Sequence, residues 1–449
     1  MRDLKTTMQA MKLSGRKLGV AAALLGAAGG MTGCGSGSPV PTQIQGAALQ
    51  GRVLGGQQPV SGATIQLYAA GATGYASAAS PLIASSVTTG PSGTFSITGA
   101  YTCPSASSPV YITATQGNSG FSNNPNLSMM AALGPCGNLS SSTFIVIDEV
   151  TTVGSVWALS PFMTGPANVG TTASNAIGLA NAFADVNTLA NTTTGAAPGP
   201  TLPVGATAPT AEIYTLADIL AACVNSAGGT QGDGSACGSL FAAANPGGTP
   251  GSAPTDTITA AMHIAQNPAL NVGPLYVLST PTAPFQPTLG AQPNDFTIAV
   301  NFAGANLSGP SALASDSLGN VWIANSRSNT VAELSHTGAD LSGPGYFGGS
   351  LNAPSAIAID AGGNVWVTNK GNNSVTELTG AGSIVTGSPY TGGGMNLPAG
   401  IAFDSTGNAW ISNSGNASVT RINSTGSTLT NFTGGSAITV PIGIAASPH

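Results

Sequence analysis

Residues 354–369 read PSAIAIDAGGNVWVTN, and this stretch has two close copies in the chain. Residues 310–325 read PSALASDSLGNVWIAN and residues 398–413 read PAGIAFDSTGNAWISN, so successive copies begin 44 residues apart and align without gaps. Asp360, Trp366 and the Gly-Asn pair between them stand at the same place in every copy. A pattern this long does not recur at a fixed spacing by chance, and it predicts a tandem repeat architecture.

Each repeat is predicted to form four short strands. In the second repeat these are 356–359, 364–368, 374–378 and a weaker strand near 384–386, with a turn at Asp360 between the first two. Four antiparallel strands make one blade of a β-propeller. The pattern P-x-x-I-A-x-D-x-x-G-N-x-W-x-x-N resembles NHL repeats, and most closely those of streptogramin-lyase-like propellers. The resemblance covers residues 295–449 and implies a partial propeller of three repeats plus a fragment that begins at Pro441.

The resemblance does not imply lyase activity. In that family, histidines and a glutamate gather around a metal ion near the propeller axis. The repeats here contain only His336, with His449 at the end of the chain. We therefore predict no catalytic residues, no metal and no cofactor. A lyase- or lactonase-type enzyme stays open as an alternative, in which Glu333 and His336 would be the ligands to test.

Function in the repeats is sought in residues that vary between them. Arg327 and Lys370 fall in loops between the second and third strands, and Tyr346 and Tyr390 fall in the connections to the next blade. These four residues form a candidate ligand face for a protein or a glycan. Packing between blades is the alternative role for the two tyrosines, because repeated aromatic residues usually belong to a core.

Three repeats and a fragment are fewer than a closed propeller is expected to need. Residues 296–302 are candidates for one outer strand and residues 438–444 for one inner strand, which together do not complete a fourth blade. Either the array is an open arc with an exposed edge, or a homo-oligomer completes the propeller.

The N-terminus has the features of an export signal. Five of the nine Lys and Arg residues precede a short apolar stretch at 18–28, which is too short to span a bilayer. Residues 31–34 read MTGC and resemble the lipobox of bacterial lipoproteins. The resemblance implies a signal peptide at 1–33, lipidation of Cys34, a flexible tether at 34–46 and, because Gly35 follows the cysteine, an outer-membrane destination. Ordinary secretion is the alternative.

Charge and cysteine content limit the partners and the compartment. Beyond residue 33 the chain keeps four of its nine cations and fourteen of its fifteen acids, a net charge of four minus fourteen, or −10. Nucleic acid is therefore excluded as a partner. The four cysteines after Cys34 predict disulfides within the close pairs Cys103 with Cys136 and Cys223 with Cys237. A zinc site is the less favoured reading, because no pair has CxxC spacing.

Residues 47–116 alternate apolar and polar side chains between Gly-containing turns, which predicts a small β-sandwich. The order GRV at 51–53, PVSGATIQL at 59–67 and TFSI at 94–97 resembles the carboxypeptidase-regulatory, or transthyretin-like, domain. The resemblance implies a spacer or adhesive module without catalytic residues.

Residues 117–290 have apolar residues three and four apart, separated by loops rich in Gly, Pro and Thr, and are predicted to be mainly helical. Asp148 and Glu149 are the only adjacent acids in the chain. Two carboxylates suggest glycosidase chemistry, but adjacent residues do not face each other on a helix, so we interpret them as the start of a helix. His263 lacks partners at metal spacing.

The predicted fold class is therefore a multidomain, mainly β protein with a small β-sandwich, a helical middle domain and a C-terminal partial β-propeller of 44-residue repeats. The leading functional hypothesis is an exported protein, lipid-anchored to the bacterial outer membrane or cell surface. Its propeller is predicted to be a non-enzymatic binding or scaffold module. Besides the enzyme, a purely structural spacer remains as an alternative.

Overall fold

The structure is a computed structural model that describes residues 42–98, 101–120, 122–248, 252–280, 283–434 and 438–446. The predicted signal peptide, the lipidation site Cys34 and His449 lie outside these residues. The last part of the predicted tether lies inside them, and Ile44–Gln45 is a short strand there.

The first part of the described chain is a β-sandwich. Its strands are β1 (Ile44–Gln45), β2 (Leu49–Gly55), β3 (Gln58–Pro59), β4 (Thr64–Ala69), β5 (Ser80–Pro81), β6 (Val87–Thr88), β7 (Thr94–Ile97), β8 (Thr102–Cys103), β9 (Pro109–Thr115), β10 (Ser128–Pro135) and β11 (Phe144–Ile147). One sheet has the order β10-β9-β4-β5 with β6 also on β4, the other has the order β11-β2-β3 with β7 also on β2, and β1 pairs with β8. Alternate residues such as Val53, Ile65 and Ile112 fill the core between the two sheets.

The sandwich extends beyond its predicted end at residue 116. Strands β10 and β11 lie in the range that was predicted to be helical. Strand β10 is apolar on both sides, because Met129 and Ala131 face the sandwich core while Met130 and Ala132 face the helices. Such a strand lacks the alternation that identifies half-exposed strands in a sequence.

All described α-helices lie in the middle of the chain. The elements are α1 (Glu149–Leu159), β12 (Met163–Gly165), β13 (Asn168–Val169), α2 (Ala176–Leu189), β14 (Ala206–Thr207), α3 (Thr210–Val224), α4 (Ala236–Ala243), α5 (Thr257–Gln266) and α6 (Val272–Tyr276), with 3-10 helices at Cys136–Asn138, Ser160–Phe162 and Ala173–Asn175. Helix α1 is buried along most of its length and packs on β10, α2, α3 and α5. No described helix is long and apolar enough to cross a membrane.

Two disulfides are present, between the cysteines that the sequence pairs. Cys103 in β8 is bonded to Cys136, which directly follows β10. Cys223 in α3 is bonded to Cys237 in α4, 14 residues along the chain. The first bond closes the edge of the sandwich, and the second fixes the turn between two helices.

The repeats form three blades of antiparallel strands. The elements from residue 301 onward are β15 (Asn301–Phe302), β16 (Pro310–Ser315), β17 (Val321–Asn325), β18 (Thr330–Leu334), β19 (Pro354–Ile359), β20 (Val365–Asn369), β21 (Ser374–Leu378), β22 (Tyr390–Thr391), β23 (Pro398–Phe403), β24 (Ala409–Asn413), β25 (Ser418–Ile422) and β26 (Leu429–Thr433). Blade 1 is β16-β17-β18, blade 2 is β19-β20-β21-β22 and blade 3 is β23-β24-β25-β26.

The inner strands of successive blades lie side by side. The Ser311 hydroxyl donates to the Pro354 carbonyl oxygen at 2.7 Å, and one repeat later the Ser355 hydroxyl donates to the Pro398 carbonyl oxygen at 2.6 Å. Apolar clusters fill the space between blades 1 and 2 and between blades 2 and 3. The repeats thus form a β-propeller-like region.

The predicted extra strands differ from those observed. Within residues 296–302, Asn301–Phe302 forms β15 and pairs with β14 of the helical part, not with a blade. Residues 438–446 contain no strand, although Gly443 passes close to the inner strand of blade 3 at Gly400. In blade 2 the fourth strand is β22, and the predicted strand near 384–386 makes only one bridge, at Ile384.

Candidate functional site

The loops at one end of the blades form a continuous surface. The Ala353 amide donates to the Asn329 side chain at 2.7 Å, and the Asn372 side chain donates to the Ser350 carbonyl oxygen at 2.7 Å. The first bond joins the turn between the second and third strands of blade 1 to the connection that enters blade 2, and the second joins the corresponding turn of blade 2 to the same connection. We call this surface the loop face: residues 326–329, 347–353, 370–373, 391–397 and 414–417.

The loop face is held by a buried asparagine at the end of each second strand. In blade 2 the Asn369 side chain accepts from the Asn352 amide at 3.2 Å and donates to the Thr376 hydroxyl at 2.9 Å. Asn325 and Asn413 occupy the same place in their blades and are also buried. The scaffold beneath the loops is therefore repeated, whereas some exposed positions, such as that of Lys370, differ between repeats.

Arg327 and Lys370 are exposed on the loop face. Phe347 was not among the predicted residues of this face, although its side chain is 73% exposed there. Its equivalent one repeat later is Thr391, so no periodic signal marks it. The three side chains give this face two cations and one aromatic ring.

Tyr346 and Tyr390 are on the interior side of the candidate face. The Tyr346 ring stacks on Trp322 with centroids 5.3 Å apart, and the Tyr390 ring stacks on Trp366 at 5.0 Å. Both rings are half-buried. The packing role that sequence analysis kept as an alternative therefore describes the contacts of these two residues.

Each of the two tyrosines also holds a buried carboxylate. The Tyr346 hydroxyl donates to Glu333 at 2.7 Å, and the Tyr390 hydroxyl donates to Glu377 at 2.5 Å. Burial raises the pKa of both carboxyls, and burial together with the neighbouring carboxylate raises the pKa of both phenols. Glu333, which the enzyme alternative required as a ligand, is thus engaged inside its blade.

The repeated Asp and Trp residues form a second internal network. In blade 2, Asp360 accepts from the Trp366 indole at 3.0 Å and from the Asn364 side chain at 3.2 Å. Gly363 has a φ of 82°, which favours glycine at this turn. In blade 3, burial alone would raise the pKa of Asp404, but hydrogen bonds from neighbouring side chains outweigh it and hold that pKa well below its usual range.

A polar cleft of about 450 Å³ lies between the sandwich and the helices, lined by Arg52, Asp148 and Tyr214 among others. Asp148 is the N-cap of α1 and accepts from the Thr151 amide at 2.8 Å, as expected for a helix start. Burial raises the pKa of Asp148 to about 7, although hydrogen bonds from Thr151 lower it in part. Glu149 instead accepts from the Gly56 amide at 2.8 Å. The adjacent acids therefore have different partners and do not face each other across the cleft.

Another cavity, of about 260 Å³, lies between α1, α2 and blade 1. At its edge His336 Nδ1 lies 3.8 Å from the Asp185 carboxylate, and burial raises the pKa of Asp185. His263 Nδ1 lies 3.2 Å from the Ala244 carbonyl oxygen. Across the described ranges, no group of three or more His, Cys, Asp or Glu residues is arranged to hold a metal ion.

No family model and no curated protein matches the chain. Among solved structures, virginiamycin B lyase from Staphylococcus aureus is similar over 34% of this chain and 50% of its own, with 19% identity and a TM-score of 0.30. A streptogramin B lyase structure is similar over 31% of this chain and 45% of its own, with 20% identity and a TM-score of 0.27. Hydrazine synthase of Kuenenia stuttgartiensis is similar over 32% and 40%, with 16% identity and a TM-score of 0.27. The chain thus spans half the length of the virginiamycin B lyase that it matches.

Proposed function

We propose that this chain is an exported, lipid-anchored bacterial protein whose propeller-like region is a non-enzymatic binding or scaffold module for a protein or a glycan. The loop face is the surface that binds this partner. One observation carries the proposal: repeated polar side chains form hydrogen bonds inside the blades, whereas exposed loop side chains vary between repeats.

The repeated polar side chains are satisfied by one another inside the blades. The Asp, Trp, Asn, Glu and Tyr positions described above hydrogen-bond within their own repeat or to the adjacent connection. The exposed positions of the loop face differ between repeats: Lys370 is equivalent to Ser326 and Ser414, and Phe347 is equivalent to Thr391. A rigid framework with variable exposed loops is the usual design of a binding surface.

The loop face can be tested with the full chain, because the helices contact blade 1, for example where the Asn181 side chain donates to the Leu318 carbonyl oxygen. Partners would be captured from surface extracts and on a glycan array by the natural protein and by the double variant Arg327→Ser/Lys370→Ser. Arg52→Ser is the matched control, because Arg52 is an exposed cation in the sandwich. We expect the captured partner to be lost by the double variant and kept by the control. Equal capture by all three proteins would exclude the loop face.

The lipid anchor has its own test. Cys34→Ser removes the thiol that the MTGC motif at 31–34 predicts to be acylated. We expect the variant to lose metabolic labelling with a palmitate analogue and to leave the membrane fraction. Unchanged membrane association would mean that the anchor lies elsewhere.

A further inference from the structure

Blade 3 departs from blades 1 and 2 at the two positions that form the internal Glu–Tyr pair. Arg421 lies opposite Trp410, as Glu377 lies opposite Trp366 in blade 2. Phe432 lies opposite Val419, as Tyr390 lies opposite Val375. The charge is therefore reversed, and the hydroxyl that held the carboxylate is missing.

The Arg421 guanidinium has aromatic neighbours but no counter-ion. Its central carbon lies 5.9 Å from the centroids of both Trp410 and Phe432. No carboxylate among the described residues is within ion-pair distance of it, and its buried Nε has no hydrogen-bond partner there. The nearby Asp404 is occupied by the Trp410 indole at 2.8 Å and the Asn408 side chain at 2.9 Å. A guanidinium is always charged and offers five N–H donors, so this side chain is free to pair with an anion.

The same surface is open to solvent. Phe432 is 40% exposed, and Trp410 is half-buried, whereas Trp322 and Trp366 are 1% and 4% exposed under the following blade. Thr430 lies opposite Arg421 on the same side of the sheet. We call this surface the blade-3 end face: Trp410, Arg421, Thr430 and Phe432.

We propose that the blade-3 end face binds a carboxylate-bearing sugar, with the carboxylate on the Arg421 guanidinium and the sugar ring against Phe432. A planar guanidinium pairs with a carboxylate through two parallel hydrogen bonds. The Thr430 hydroxyl is a neutral partner for sugar hydroxyls, and an exposed aromatic ring offers a flat apolar surface.

A sugar acid fits this surface better than an acidic peptide. The end face offers one cation, and beyond residue 33 the chain has a net charge of four minus fourteen, or −10. A partner with several carboxylates is therefore repelled by the rest of the molecule. A second copy of the chain is also disfavoured, because Gly443 already lies against the inner strand of blade 3, where a Cβ added to Gly400 would come within 3.3 Å of the Gly443 Cα.

The test is calorimetric titration of the full chain with galacturonic acid at low salt. Galactose is the uncharged comparison, and a blocked tripeptide with one glutamate side chain is the peptide comparison. We expect galacturonic acid to bind, galactose to bind much more weakly and Arg421→Gln to weaken galacturonic acid binding by about tenfold or more, since hydrogen bonds between charged groups are lost. The variant Arg421→Glu/Phe432→Tyr rebuilds the internal pair of blades 1 and 2, so we expect it to fold normally and not to bind.

Three outcomes would overturn the proposal: no binding of galacturonic acid by the natural protein, an affinity in Arg421→Gln or in the rebuilt variant equal to that of the natural protein, or tighter binding of the tripeptide than of galacturonic acid. The blade-3 end face shares no residue with the loop face, so the two proposed binding surfaces can be tested independently. The variant Arg327→Ser/Lys370→Ser should bind galacturonic acid normally, so failure at either surface leaves the other proposal standing.

Discussion

At the scale of single residues, the blades show how buried polar groups are kept in pairs. Glu377 is 5% exposed, and its carboxylate accepts a hydrogen bond from Tyr390. A buried carboxylate without a donor would carry a desolvation penalty. The tyrosine is therefore as much a partner of the acid as it is part of the apolar packing on Trp366.

We predict that Tyr390→Phe lowers the free energy of unfolding by about 1–3 kcal/mol, because Glu377 loses its donor. Burial raises the pKa of Glu377 and the Tyr390 hydrogen bond lowers it. Without that bond the carboxyl is harder to ionise, so the loss should be larger at pH 8 than at pH 5. Denaturant titrations at both pH values measure it. The control Tyr390→Phe/Glu377→Gln should remove the pH dependence, and equal losses at both pH values would contradict this account.

At the scale of elements, the start of α1 joins the sandwich to the helices. Strand β11 ends at Ile147, and the next residue, Asp148, forms a capping box with Thr151. The change from strand to helix thus occurs within one residue, and the cap is buried between the two layers.

We expect Asp148→Ala to lower the free energy of unfolding by about 1 kcal/mol, the usual effect of losing an N-cap side chain. Asp148→Asn keeps an acceptor for the Thr151 amide and should cost less. Thermal unfolding of the three proteins at one pH distinguishes them. A loss for Asp148→Asn as large as that for Asp148→Ala would show that the acceptor for the Thr151 amide is not what the carboxylate contributes.

The Cys223–Cys237 disulfide stabilises the turn between α3 and α4. The bond closes a separation of 14 residues, for which the chain-entropy model gives about 3 kcal/mol. We expect Cys223→Ser/Cys237→Ser to lower the free energy of unfolding by roughly this amount. Denaturant titration under oxidising conditions is the measurement, and a reducing agent should affect this variant less than the natural protein. If the free energy of unfolding were unchanged in both experiments, the disulfide would not restrict the conformations of the unfolded chain.

At the scale of the whole molecule, buried acids make stability depend on pH. Burial raises the pKa of Asp148 and Asp218 to about 7 and raises that of Glu149 well above its usual value. These groups hold protons in the folded state that they release on unfolding, so their contribution is complete below about pH 4 and is lost as the pH rises through about 7.

We therefore predict a higher Tm at pH 5 than at pH 8. Asp218→Asn should reduce the difference, because the amide still accepts from the Phe285 amide but does not ionise. Calorimetric scans across this range measure it. A Tm that rises from pH 5 to pH 8 would contradict the prediction.

The oligomeric state can be predicted from how the inner strands of blade 1 and blade 3 are covered. Leu313 is 70% exposed on blade 1, whereas its equivalents Ile357 and Ile401 are 7% and 9% exposed between blades. Gly443 lies against the inner strand of blade 3 at the other end. Docking of a second copy would have to displace the segment around it. We expect the protein to sediment as a monomer. This corresponds to the open arc and not to a homo-oligomer that completes the propeller. A dimer that is lost in Leu313→Asp would instead support a ring of copies.

Four features could be predicted from the sequence alone: the repeats, the first three strands of each blade, the cysteine pairs and the start of α1. All of these depend on neighbours along the chain: the turn from Asp360 to Asn364 and the Asp148 cap are local hydrogen-bond patterns, and a fixed period is visible without knowing any distant contact. The exposed positions of Arg327 and Lys370 follow from the same local pattern, because a turn between two strands lies at the end of a blade.

Contacts between groups that are far apart along the chain could be assigned only from the structure. Strand β10 looks like neither a strand nor a helix in sequence, because its two apolar faces are covered by distant elements. The contacts of Tyr346 were likewise not visible in the sequence, because its ring packs on Trp322 instead of facing solvent. The unpaired charge of Arg421 is evident only from its surroundings beside Trp410 and Phe432. Burial and the presence of a counter-ion are set by residues far apart in sequence, and local patterns do not encode them.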